Sequence, residues 1–354
     1  MPRCHPILIL VLAVAWAACD GLPSSPIGVD PPGEEEPPPS VTDLVPLTDL
    51  ETGLYLGRYP GGLYPGGSDA PPADHRAAGL ANASRIRPLD TAGRPDPEGK
   101  VVLLSVGMSN TSHEFCGSLG VDCSAGTFGA QAEADPRVDG DLVIVNGAQG
   151  GQDARDWDRP TAETYDVVRD RALAPLGLSE TQVQVVWLKQ AHTRPTVALP
   201  SASADAFELE RDLGEIVRAM AARWPNLRLV FVSSRTYGGY ATIPLNPEPF
   251  AYESGFAVKW LVEAQIEQTH TGRIDPQAGD LDLDRLPWIG WGPYLWTAGS
   301  EGRSDGLRWT LADVQADGTH PAPPGVEKVG ALLLDFFTTD PVPRCWFVAG
   351  LDCD

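Results

Sequence analysis

Runs of apolar, largely β-branched residues occur at 101–106 (Val-Val-Leu-Leu-Ser-Val), 142–145, 183–188, 227–232 and 288–291, each short enough for a buried strand. Between and after them, apolar positions recur at helical spacing over 162–173, 204–223, 256–268 and 326–337. Continuous apolar strands alternating with amphipathic helices predict an α/β fold. The form expected is a three-layer α/β/α sandwich around a mostly parallel, doubly wound, flavodoxin-like sheet. In such sheets functional side chains gather in the loops beyond the carboxyl ends of the strands. The stretch 45–99 lacks either period, and Tyr59-Pro60-Gly61-Gly62 returns as Tyr64-Pro65-Gly66-Gly67, two similar turns that predict a packed, irregular wrap.

The chain begins differently. Arg3 and His5 precede an apolar run over 7–16, too short for a membrane-spanning helix, and Ala17-Ala18-Cys19 follows. Small residues ending at a cysteine resemble the lipobox of bacterial lipoproteins, with Trp16 where Leu is usual. The resemblance implies a signal peptide over 1–18, lipidation of Cys19 and a cell-envelope location, periplasmic or outer-surface. Residues 19–44, rich in Pro and Glu, read as a semi-extended tether, leaving 45–354 as the folded domain. On this reading the membrane is touched only through the lipid.

With 48 acidic against 26 basic residues and a net charge of −22, the chain lacks the basic surface that a nucleic acid rewards through counterion release. A small-molecule or carbohydrate partner suits it better. With Cys4 in the signal and Cys19 as anchor, Cys116, Cys123, Cys345 and Cys353 remain. They allow three pairings, and Cys116–Cys123 with Cys345–Cys353 closes the shortest loops, as suits an exported chain. No His stands beside them at metal-ligand spacing, so no metal is expected.

The candidate chemistry lies in four blocks. Gly107-Met108-Ser109-Asn110 follows the first strand, Asn146-Gly147-Ala148-Gln149-Gly150-Gly151 the second and Lys189-Gln190-Ala191-His192 the third; Asp317-Gly318-Thr319-His320-Pro321 precedes the last helix. A serine hydroxyl becomes a useful nucleophile only when a base takes its proton, and the base works best when a carboxylate orients it. Ser109, His320 and Asp317 are the candidates for these roles, with Asp313 as a fallback carboxylate. The Ser109 and Gly151 N–H groups and the Gln190 amide are candidate oxyanion donors.

The order of these blocks resembles the SGNH/GDSL hydrolase superfamily over roughly 100–337, and Gly107-Met108-Ser109-Asn110 is similar to the Gly-Gln-Ser-Asn signature of its sialate-O-acetylesterase and acetylxylan-esterase branch. The resemblance implies a cofactor-free serine esterase acting on short-chain, chiefly acetyl, esters of carbohydrate. The alternatives are an O-acyltransferase using the same residues and a catalytically silent carbohydrate-binding lipoprotein. Met108 departs from the commoner Gly-Asp-Ser, and Gln190 stands where the superfamily usually has Asn. There is no Gly-x-Ser-x-Gly elbow of the α/β-hydrolase kind.

Other conspicuous residues have plainer readings. His113 and His192 are expected to be structural or substrate-side. Asp280-x-Asp282-x-Asp284 lacks the Gly and the final Glu of a calcium loop, since Arg285 replaces the Gly, and reads as a solvated acidic loop. Trp288, Trp291, Tyr294, Trp296 and Trp309 read as core packing, with a sugar-stacking platform as the alternative.

Overall fold

The computed structural model describes residues 44–353. The expected signal segment, the lipidation site at Cys19 and nearly all of the expected tether lie outside the described residues. Strands β1 (Val101–Gly107), β2 (Leu142–Asn146), β3 (Val183–Lys189), β4 (Leu229–Val232) and β5 (Trp288–Trp291) form one parallel sheet in the order β2-β1-β3-β4-β5. This is the doubly wound order, with its switch point between β1 and β3.

Four of the five apolar runs become strands buried along their whole length, while the edge strand β2 stays part-buried over Leu142, Val143 and Ile144. Val102, Leu104 and Val106 of β1 join one core with α5 (Asp205–Arg223) and α6 (Phe250–Thr271). Leu103, with Val185 and Trp187 of β3, joins a second core against α1 (Ala73–Ala83), α7 (Pro323–Thr339) and α8 (Pro341–Phe347). Fully apolar strands between two helical layers follow directly from the absence of a solvated sheet face. Among the described residues no helix is long and apolar enough to cross a membrane.

Several elements depart from the sequence pattern. α6 begins before the expected 256, since its first turns carry Tyr252, Glu253 and Ser254, polar groups buried in the fold. The helix expected over 162–173 is α4 (Glu163–Val167) followed by a π-helical turn at Val168–Leu173, just ahead of Pro175, which has no N–H to extend a ladder. α1, α8 and two seven-residue helices, α2 (Ser109–Phe115) and α3 (Phe128–Ala134), have no counterpart in the apolar periodicity.

Disulfides join Cys116 to Cys123 and Cys345 to Cys353, the local pairing. The late aromatic cluster is core: Trp288, Trp291, Tyr294, Trp296 and Trp309 are all buried, which removes the sugar-stacking alternative for it. Arg285 bridges Asp280 and Asp282, partly offsetting the charge of the acidic loop.

Candidate active site

At the carboxyl end of β1 the chain turns through Gly107 into α2, whose first residue is Ser109. A side chain at Gly107 would meet Thr111 Oγ1 at 2.1 Å and the Lys189 carbonyl oxygen at 2.4 Å, so the tight strand-to-helix turn admits only glycine. The Thr111 hydroxyl donates to that same carbonyl at 2.8 Å, stapling the first turn of α2 to the end of β3.

The loop before α7 supplies the rest. Ser109 Oγ lies 2.8 Å from His320 Nε2, and His320 Nδ1 lies 2.5 Å from Asp317 Oδ2. Asp317 Oδ1 also accepts the backbone N–H groups of Thr319 at 2.9 Å and His320 at 3.0 Å. Burial pushes the Asp317 carboxyl up, but these hydrogen bonds, led by that of His320, hold it below the usual carboxylate range. An ionised Asp317 makes Nδ1 the protonated nitrogen of the ring, which leaves Nε2 to accept the Ser109 hydroxyl. Gly318 turns the loop at φ +69°, where a Cβ would lie 1.8 Å from the Tyr240 carbonyl oxygen. Asp313 faces elsewhere: it caps the turn Leu311–Asp313 and pairs with Lys328 at 2.8 Å, so the fallback carboxylate is not at the site.

Of the candidate oxyanion donors, Ser109 sits at a helix start and has no partner in its own ladder. Gly151 is exposed at φ +79° in the second strand-end loop, and its neighbour Gly150 approaches Ser109 Cβ to within 3.8 Å of where a Cβ would be. Gln190 is buried, and one hydrogen of its amide goes to the Gln152 carbonyl at 3.1 Å, so it braces the loop that carries Gly151. His113, one turn along α2 from Ser109, packs its ring 5.8 Å from that of His320. Burial, with the adjacent His320, lowers its basicity. His192 is not at the reacting groups: its nitrogens meet Asp205 at 2.7 Å and Asp212 at 2.9 Å, pinning the start of α5.

Three features escape sequence reasoning. Glu114 of α2 forms a fully buried ion pair with Lys189, whose Nζ lies 2.7 Å from Glu114 Oε1. The segment 233–249 ties the loop that carries Asp317 to the loop after β3, through Thr242 N–H to the Asp317 carbonyl at 2.9 Å and Asn246 Nδ2 to the His192 carbonyl at 2.7 Å. In that segment Arg235, 5% exposed, meets no carboxylate within ion-pair distance among the described residues, and its Nε finds no acceptor. Buried polar atoms are ordinarily paired. Asn110 Oδ1, Ser234 Oγ and Asn246 Oδ1 are likewise unpartnered. Only the sequence Ser233-Ser234-Arg235, polar residues directly after an apolar strand, offered a sign of this.

No protein-family model matches the chain, and no curated protein matches it. Among solved structures it is similar to the extracellular lipase of Streptomyces rimosus, at 15% identity over 67% of this chain and 99% of that one, with a TM-score of 0.35. It is also similar to a carbohydrate esterase family 2 enzyme of Corynascus thermopiles (Myceliophthora fergusii), at 13% identity over 67% and 65%, TM-score 0.36. A phospholipase A1 of Streptomyces albidoflavus matches at 12% identity over 67% and 99%, TM-score 0.33. Likenesses of this size carry no functional weight.

Proposed function

We propose that this chain is a serine esterase of the SGNH kind, acting on short-chain esters, with acetylated carbohydrate as the first substrate class to test. The observation that carries the reading is the unbroken chain Ser109 Oγ, His320 Nε2, His320 Nδ1, Asp317 Oδ2, with contacts of 2.8 and 2.5 Å. In the proposed reaction Ser109 Oγ attacks the acyl carbon while His320 Nε2 takes its proton, and Asp317 stabilises the imidazolium. The oxyanion that forms accepts from the Ser109 and Gly151 N–H groups and the second hydrogen of the Gln190 amide. Collapse expels the alcohol, protonated by His320. Water then attacks the acyl-serine by the same relay, returning Ser109 and releasing the acid. The two disulfides support a location outside the reducing cytoplasm, and the Cys19 anchor belongs to the same proposal.

The test is an acyl-chain-length series of chromogenic esters on the wild type and on Ser109→Ala. The wild type should hydrolyse the acetyl ester best, and the variant, folded by circular dichroism, should lose at least ~10³-fold in turnover. Unchanged turnover in the variant would remove the mechanism. Adding a sugar acceptor and analysing products separates hydrolysis from acyl transfer.

A further inference from the structure

A second cleft, of about 810 Å³, opens away from Ser109 and His320, between α5, α6 and the irregular N-terminal wrap. Its wall is aromatic: the rings of Phe207 and Trp260 stack 5.0 Å apart at 13°, and Tyr59 packs 5.7 Å from Trp260. Phe207 and Trp260 are half-buried, so part of this wall remains open.

Among the described residues, two polar groups of the cleft lining find no partner. Glu210 lines the cleft and is only 4% exposed, and the charged groups that bear on it are the carboxylates of Asp275 and Glu263, with no hydrogen bond and no cation. The Tyr59 hydroxyl is fully enclosed and unpartnered. The cations nearby have other partners: Lys259 lies 3.6 Å from Glu263, Arg273 lies 3.4 Å from Glu267, and Arg58 rests 5.7 Å over the Tyr59 ring. Burial, with Asp275 and Glu263 beside it, pushes the Glu210 carboxyl up to about 8, so it holds a proton until a positive group joins it and favours its charged form. An apolar wall beside it favours a cation that carries its own apolar surface, since aromatic faces attract desolvated ammonium groups. A neutral sugar would use the aromatic wall but bring Glu210 no opposite charge.

We propose that this cleft binds an organic ammonium ion, its nitrogen against the Glu210 carboxylate and its apolar part against the Phe207–Trp260 pair. The site is independent of the esterase reading, because none of the proposed catalytic residues lines it.

Calorimetric titration of the full-length protein with phenethylammonium, with the neutral near-isostere 2-phenylethanol and with a xylo-oligosaccharide tests it. The ammonium should bind, with the alcohol at least about tenfold weaker. Glu210→Gln, which keeps the shape of the protonated acid, should weaken the ammonium about tenfold, and Trp260→Leu should do so by a similar factor. Ser109→Ala should bind it as the wild type does. Equal affinity for ammonium and alcohol, no binding of the ammonium, or binding untouched by Glu210→Gln and Trp260→Leu would overturn the proposal. So would binding of the oligosaccharide alone. Should Glu210→Gln fail to fold, Trp260→Leu, on the half-open wall, carries the same reading.

Discussion

The side-chain amide of Asn110 donates to the backbone carbonyl of Thr319 at 2.8 Å, joining the residue after Ser109 to the residue before His320. The first turn of α2 and the loop before α7, 209 residues apart, are thereby set at one spacing. In the proposed mechanism this bond holds the distance across which the proton moves.

Asn110→Ala should therefore slow the chemistry more than it weakens binding. Displacing a reacting group by about an ångström can cost up to ~10²-fold. The expected result is a ten- to hundred-fold lower kcat, roughly, with KM little changed and the melting temperature close to wild type. Steady-state kinetics on a chromogenic acetyl ester read this directly, and an unchanged kcat would show that the Asn110–Thr319 bond is not what sets the spacing.

Gln190 has two duties in the proposed reaction, since one amide hydrogen braces Gln152 and the other is free for the oxyanion. Gln190→Ala is expected to lower turnover ~10²–10³-fold with little effect on KM. If Gln190→Asn keeps most of the activity, the amide is the functional group. A drop in melting temperature with turnover intact would instead reduce Gln190 to a brace.

The buried Glu114–Lys189 pair underpins the helix that Ser109 begins. Burial draws the Lys189 ammonium down to about 8, against the pull of Glu114, so it is sensitive to losing that partner. Glu114→Gln should destabilise the fold by about 3–5 kcal/mol, because it strands a buried charge. The double variant Glu114→Gln with Lys189→Met should recover part of that loss in urea denaturation. A double variant no better than the single one would mean that the pair's value lies in packing and not in charge.

Stability should decline as pH rises from neutral to about 8. Burial pushes Glu253 up from its ordinary 4.5 to about 8, so the folded state keeps a proton that the unfolded chain releases; the stability this adds is present in full below 4.5 and is lost as pH rises through 8. Burial opposes the protonation of His192, but its bonds to Asp205 and Asp212 prevail and carry it from 6.5 to about 9. Its contribution is full below 6.5 and gone above 9. Both run the same way, so the melting temperature should fall between pH 6.5 and 8; above 8 the Lys189 ammonium, drawn from 10.5 down to about 8, works against the rest of the His192 loss. Glu253→Gln should flatten the lower part of that decline, and a profile identical to wild type would assign the loss to other groups.

The strands were legible because burial on both faces leaves an unmistakable apolar run, as at Val101–Gly107. The helix α2 was not, since Ser-Asn-Thr-Ser-His-Glu-Phe has poor helix formers and is held by long-range bonds, Thr111 and Glu114 to β3 and Asn110 to the His320 loop. Ser109, Asp317 and His320 stood out by the company of Gly and Asn around them. Arg235 and the contacts of 233–249 did not, because they depend on which loops the sheet order brings side by side. Nothing in the local pattern around Gln190 revealed that its amide would be partly spent on Gln152.

Ser109 and His320 are 211 residues apart in sequence and 2.8 Å apart in space. A chain that stops anywhere short of residue 320 thus lacks the proposed base, however well its first strands have paired. If the proposed chemistry holds, activity cannot start on a nascent chain still threading into its compartment, and the first turnover certifies that synthesis has run nearly to the last helix. Two inert fragments divided between those residues would then regain activity only by finding each other, which makes the fold a natural candidate for a split reporter.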